Sequence, residues 1–108
     1  MAEESDLLKL KPKSPSQILE ALAKSRKKGL LGPLTSLHLR SGRDIIGRVL
    51  RFEEELGQPG ALLLFQMQGP SQNDDDVVYL DAVNIEAVTV HGAKEHLQVL
   101  EPAQFPGL

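Results

Sequence analysis

Apolar and polar side chains alternate along Leu37-His38-Leu39-Arg40, the period of a half-buried strand, and Ser41-Gly42 follows as a tight turn. Beyond the turn, Ile45, Ile46 and Val49 form a run rich in β-branched residues, and Gly47 interrupts it. A glycine inside a strand marks a sharp bend or a close backbone approach. A short strand, a tight turn and a long bent strand predict the opening of a small, strongly curved barrel.

The pattern upstream changes period. Ser14-Pro15-Ser16-Gln17 sets a capping serine, a proline at the first helical position and a glutamine at the third, the chemistry of a helix start. Ile18, Leu19 and Leu22, with Ala21 and Ala23 beside them, make an apolar stripe at helical spacing, while Gln17, Glu20, Lys24 and Lys27 lie elsewhere on the circumference. Gly29 is the expected C-terminal cap. A helix over 15–28 is too short to be stable alone in water, so its stripe is expected to dock on the barrel.

Downstream, Glu53-Glu54-Glu55 and Gly57 to Gly60 read as a turn, and ALLLFQMQ as a third strand, apolar at first and then alternating. Gly69 to Asp76 is a polar loop. Val77 to Asp81 and Ile85 to Val90 are the fourth and fifth strands, joined by a short kink. The expected order is therefore a mobile arm over 1–13, a domain over 14–91 and a C-terminal extension over 92–108. Its strands lie near 35–40, 43–53, 61–68, 77–81 and 85–90. The extension leaves two readings open for Ala93 to Leu100, a helical turn or another short strand, and Glu101 to Leu108, with two prolines, is expected extended. The fold class is mostly β: an N-terminal helix before a bent five-stranded antiparallel barrel.

Length and composition bound the function. A chain of 108 residues with 41% apolar content suits one domain with its own core. There is no cysteine, so disulfides and thiolate metal sites are excluded and a reducing compartment fits. MAEESDLLKLKPKS does not read as a secretory signal, and no apolar run approaches a membrane span, so a cytoplasmic protein without membrane contact is expected.

The net charge of −3 conceals an asymmetry: residues 1–51 carry eleven Lys or Arg against five Asp or Glu, and residues 52–108 carry one Lys against ten acids. A basic half followed by an acidic half points to a polyanion at one surface, to self-association by opposite patches, or to pairing within the chain. Lys24-Ser25-Arg26-Lys27-Lys28 concentrates four cations at the helix end. They are candidate phosphate contacts, against the alternative that they complement the helix macrodipole and stay solvated.

The order of these elements resembles the Sm-like family and, within it, its Hfq-type bacterial RNA chaperones. The best part is LHLRSGRDIIGRVLRFE, which matches the family's first motif in the spacing of both glycines and in Phe52 followed by an acid, Glu53 here where aspartate is usual. VVYLDAVNIEAVTV resembles the second motif: a short strand, a single turn and a fifth strand. The resemblance implies an SH3-type Sm-like barrel and a ring of about six or seven subunits, with strand four of one pairing with strand five of the next. Val77, Val78, Tyr79, Ile85, Val88 and Val90 would form that interface, and their apolar character agrees, since open strand edges invite aggregation. The alternative is a barrel that closes on itself as a monomer.

The resemblance further implies single-stranded RNA as a partner and an RNA-chaperone role, with Lys24, Arg26, Lys27 and Lys28 as a basic rim. Two face sites depart from the family pattern. Tyr79 is followed by Leu80 and Asp81 where the family carries lysine and histidine, and a carboxylate cannot act as a donor to uracil or phosphate. His38 stands in place of the strand-one aromatic and Ile46 in place of a glutamine; His38 either stacks on a base or is a solvated outward side chain. Arg40, Arg43, Arg48 and Arg51 either track a nucleic-acid backbone or pair with Asp44, Glu53, Glu54 and Glu55 across subunits. The few aromatics, Tyr79 and three phenylalanines, favour charge and shape over base stacking.

No chemistry competes with binding in this reading. Asn73-Asp74-Asp75-Asp76 lacks calcium-loop spacing, and His38, His91 and His96 lack metal-ligand spacing. There is no nucleophile motif and no phosphate-cradling glycine loop, so neither an enzyme nor a cofactor is expected. A second function class stays open beside RNA binding: an oligomeric scaffold that keeps the ring but docks protein partners.

Overall fold

A computed structural model of the chain describes residues 4–30, 32–54, 60–68 and 76–105. The helix that carries the apolar stripe runs Pro15–Lys27 (α2), after a single helical turn at Glu4–Leu7 (α1). Its start is a complete capping box. Ser14 Oγ accepts the Gln17 amide at 3.2 Å, and Gln17 Oε1 accepts the Ser14 amide at 2.9 Å, which satisfies two donors that a helix start leaves over. Gly29, at φ 81°, closes the other end by donating its amide to the Arg26 carbonyl at 2.9 Å. Leu19, Leu22 and Ala23 are buried, and α2 packs on the second strand.

Five strands follow: β1 (Thr35–Leu39), β2 (Asp44–Glu54), β3 (Ala61–Met67), β4 (Val77–Asp81) and β5 (Ile85–Val90). Glu53 and Glu54 belong to β2 and pair with Leu62 and Ala61, where a turn is expected from the sequence; Glu55 to Pro59 lie outside the described residues. The strands form one antiparallel sheet in the order β4-β3-β2-β1-β5. The two glycines act differently. Gly42 takes φ 93° in the β1–β2 turn, where its amide donates to the Leu39 carbonyl at 2.9 Å. Gly47 lies within β2, and a Cβ there would sit 1.9 Å from the Gln66 carbonyl oxygen, so the site has no room for a side chain. Register shifts at His38/Leu39 and Val49/Arg51 add the local bending that bulges produce.

The sheet is strongly curved but is not a closed barrel, and the barrel expectation is corrected to that extent. β4 and β5 are its opposite edges, yet they are joined by a single 3-10 turn, Ala82–Asn84. Three residues cannot cross a flat five-stranded sheet, whose strands lie about 4.8 Å apart, so the curl must bring the end of β4 to the start of β5. The Asp81 carboxylate stabilises that corner by accepting the Val83 amide at 3.2 Å. Inside the curl, Leu37, Val49, Leu63, Phe65 and Ile85 meet the α2 stripe. Burying side chains of this size contributes about 1.5–3 kcal/mol each.

Leu10 and the residues after β5 join this core. Ala93–Glu95 forms a 3-10 turn and Leu97–Leu100 a helical turn (α3), which decides the open question over 93–100 in favour of helix. Leu97, Val99 and Leu100 are buried. Residues 101–105 turn instead of extending: the Gln104 and Phe105 amides both donate to the Glu101 carbonyl at 3.1 Å. The segment expected as a mobile arm is tied to this region, because the Lys11 amide donates to Glu101 Oε1 at 3.0 Å and the Lys13 ammonium bonds the Leu100 carbonyl at 2.9 Å. Lys13 also pairs with the Glu101 carboxylate, which is buried at 8% exposure. The Lys13 hydrogen bond first, and the Lys11 amide next, hold that carboxyl below its ordinary range against the opposing effect of burial. Among the described residues no helix is long and apolar enough to cross a membrane.

Candidate interaction surfaces

The cations at the end of α2 divide by their surroundings. Lys24 forms an exposed ion pair with Glu20 at 3.0 Å, one helical turn earlier. Lys27 and Lys28 are exposed and have no ion pair among the described residues, while Arg26 is half-buried. Arg48, on β2, comes to the same region: its Nε donates to the Gly32 carbonyl at 3.2 Å, and a Cβ at Gly32 would lie 3.9 Å from Arg26 Cδ. A rim arginine and a strand arginine thus both lie near Gly32. Arg48 also donates to Gln68 Oε1 at 3.1 Å.

The remaining arginines do not continue this patch as one track. Arg40 donates to the Val83 carbonyl at 2.6 Å, beside the corner between β4 and β5. Arg43 is exposed at the β1–β2 turn. Arg51 pairs with Glu53 on the same strand face, one of the acids proposed as its partner, but within the chain.

His38 points away from α2 and is held from both sides. Its Nδ1 lies 2.9 Å from Asp44 Oδ1 on β2, and its Nε2 lies 2.8 Å from Thr89 Oγ1 on β5. A carboxylate only accepts, so Nδ1 donates to Asp44. Beside it, Ser36 Oγ and His91 Nε2 are 2.7 Å apart. Neither sequence reading of His38 describes this arrangement, since the imidazole links three strands. Its partners are six and fifty-one positions away, and only the strand pairing makes them neighbours.

The sheet edges carry most of the residues assigned to an interface. Tyr79 is 81% and Val77 44% exposed on β4, and Val78 is half-buried. On β5, Val88 and Val90 are half-buried against the core, and Ile85 is buried at 3% as a core residue. The Met67 amide donates to the Asp76 carbonyl, and the His91 amide to the Leu34 carbonyl, both at 2.9 Å. Alternation along an antiparallel ladder then turns the backbone groups of Val77, Tyr79, Val88 and Val90 outward, where no strand among the described residues meets them. Next to the β4 edge, Leu62, Leu64 and Tyr79 line an apolar groove of about 430 Å³ flanked by Arg51 and Asp81. Sequence reasoning overlooked this groove. Its signal was the opening of β3, apolar on both faces, which is the mark of a strand covered twice.

Among the described residues no cluster of three or more His, Asp or Glu side chains is placed to hold a metal ion, and Asn73 to Asp75 lie outside those residues. The chain matches no family model, no curated protein and no solved structure.

Proposed function

We propose that this protein is an Sm-like RNA-binding module that assembles into a ring and holds single strands through phosphate contacts. The observation that carries the proposal is the pair of unpaired edges, β4 and β5, at opposite ends of one strongly curved sheet. An edge with apolar Val77 and Tyr79 is completed by an edge with Val88 and Val90, and pairing them head to tail around a rotation axis gives a closed ring, which the Sm-like resemblance implies has about six or seven copies. Each copy then contributes Lys27, Lys28, Arg26 and Arg48 to one rim. Such a crown concentrates polyanions by counterion release and does so without reading sequence. In this reading the protein performs no bond-making chemistry. It raises the local concentration of strands on a rigid frame.

A second reading, an oligomeric scaffold that docks protein partners, is favoured by one observation. The side chains at the positions where the resemblance places base recognition are engaged within the chain: both His38 nitrogens are bonded, and the Asp81 carboxylate caps the turn after β4. Titrating the purified protein with U-rich, A-rich and mixed single strands at two salt concentrations separates the two. Binding of all three strands that weakens steeply with salt supports the RNA module; absence of binding even at low salt removes it and leaves the scaffold.

A further inference from the structure

A groove between α2 and the C-terminal segment encloses about 530 Å³, the size of a small-molecule site. Its floor is apolar: Ala21 from α2 meets the buried Val99 and Leu100 of α3. Its rim is cationic. The α2 residues Gln17, Ala21, Lys24 and Lys28 recur at helical spacing and face α3, leaving Leu19, Leu22 and Ala23 to the core. Two of the four rim lysines are neutralised, Lys24 by Glu20 and Lys13 by Glu101. Lys27 and Lys28 form no ion pair among the described residues, although Lys27 also lines a smaller pocket with Glu20 and Glu54. The last turn of α2 also supplies Ser25 to the wall, 4% exposed, and its buried hydroxyl oxygen has no hydrogen-bond partner among the described residues.

A phosphate backbone would use the cations and leave the apolar floor uncovered, whereas a purely apolar occupant would leave the two ammonium groups idle. An apolar floor ending at two unneutralised cations matches a molecule with a tail and an anionic head. We propose that this groove binds a small anionic amphiphile of the alkyl carboxylate class, its chain over Ala21, Val99 and Leu100 and its head at Lys27 and Lys28. The site lies wholly within one chain, so it does not depend on ring assembly; it shares Lys27 and Lys28 with the proposed RNA rim, so an amphiphile head and a strand would compete for them.

The test is amide-resolved NMR of the full chain, titrated separately with decanoate, decanol and acetate. Decanoate is expected to give saturable shifts at Ala21, Lys28, Val99 and Ala103, with decanol and acetate each weaker by about tenfold or more, the loss that goes with one charge-assisted contact or the apolar tail. Lys27→Ala with Lys28→Ala weakens decanoate by about tenfold and leaves decanol unchanged, and Ala21→Trp removes both while the spectrum stays dispersed. Equal affinity for decanoate and decanol overturns the proposal, as do shifts centred on the Leu62–Tyr79 groove or no saturable shift at all. Sedimentation of the protein with phosphatidylglycerol vesicles, without any response to dissolved decanoate, also overturns it, because the cations then serve a surface and the groove does not serve a ligand.

Discussion

Gly47 and Gln66 touch backbone to backbone: a Cβ on the glycine would stand 1.9 Å from the Gln66 carbonyl oxygen and 2.9 Å from the Phe65 ring. Neither the neighbouring strand nor a fully buried phenylalanine can give that space without a shift of β3. Gly47→Ala is therefore expected to cost about 2–4 kcal/mol, as overpacking against backbone does. Gly42→Ala meets nothing within 4 Å and carries only the strain of φ 93°, about 1–2 kcal/mol. Urea unfolding of the two variants ranks them, and a smaller loss at Gly47 contradicts the packing argument.

The outward backbone of β4 makes a specific disruption of assembly available. Tyr79→Pro removes an amide that no strand among the described residues uses, and Val77→Lys places a charge on an exposed edge position. Light scattering after gel filtration should find the unaltered protein as a multiple of the chain mass and the double variant as a single chain with the same far-ultraviolet dichroism. A wild-type particle of single-chain mass refutes the ring.

Lys27 and Lys28 are exposed and unpaired among the described residues, so their removal tests the rim without harming the fold. The double alanine variant should keep its stability within about 0.5 kcal/mol. Its affinity for U-rich, A-rich and mixed strands should fall alike, and the slope of log affinity against log salt should flatten by about 2 per chain contacted. A loss confined to one strand composition would point instead to base readout elsewhere.

Glu101 links the two ends of the chain, and the sign of its pH dependence follows from its depressed pKa. The folded state prefers the carboxylate, so the contribution to stability is complete above the ordinary glutamate range and is lost as pH falls through the lower folded value. Thermal midpoints of the wild type should drop on acidification across that window, and Glu101→Gln should remove part of the drop while starting from a lower midpoint at neutral pH. Superimposable acid limbs for the two proteins would exclude Glu101 as the source.

The capping box at Ser14 and Gln17, the α2 stripe and the period-two runs of the strands were all legible along the chain. Each is set by residues within a few positions of one another, through dihedral preference, capping and the face a side chain takes. The sequence by itself therefore determined one helix followed by five antiparallel strands, and the glycine in the long strand where a neighbouring backbone comes close. The tertiary structure alone decided that the sheet curls without closing and that Ile85 is core while Tyr79 is exposed. It alone decided that Arg48 reaches the Gly32 carbonyl, that His38 joins Asp44 to Thr89, and that Glu101 holds Lys13. Those outcomes depend on which distant strand or terminus arrives beside a residue, and such partners are chosen by the packing of the whole chain, which no local period encodes.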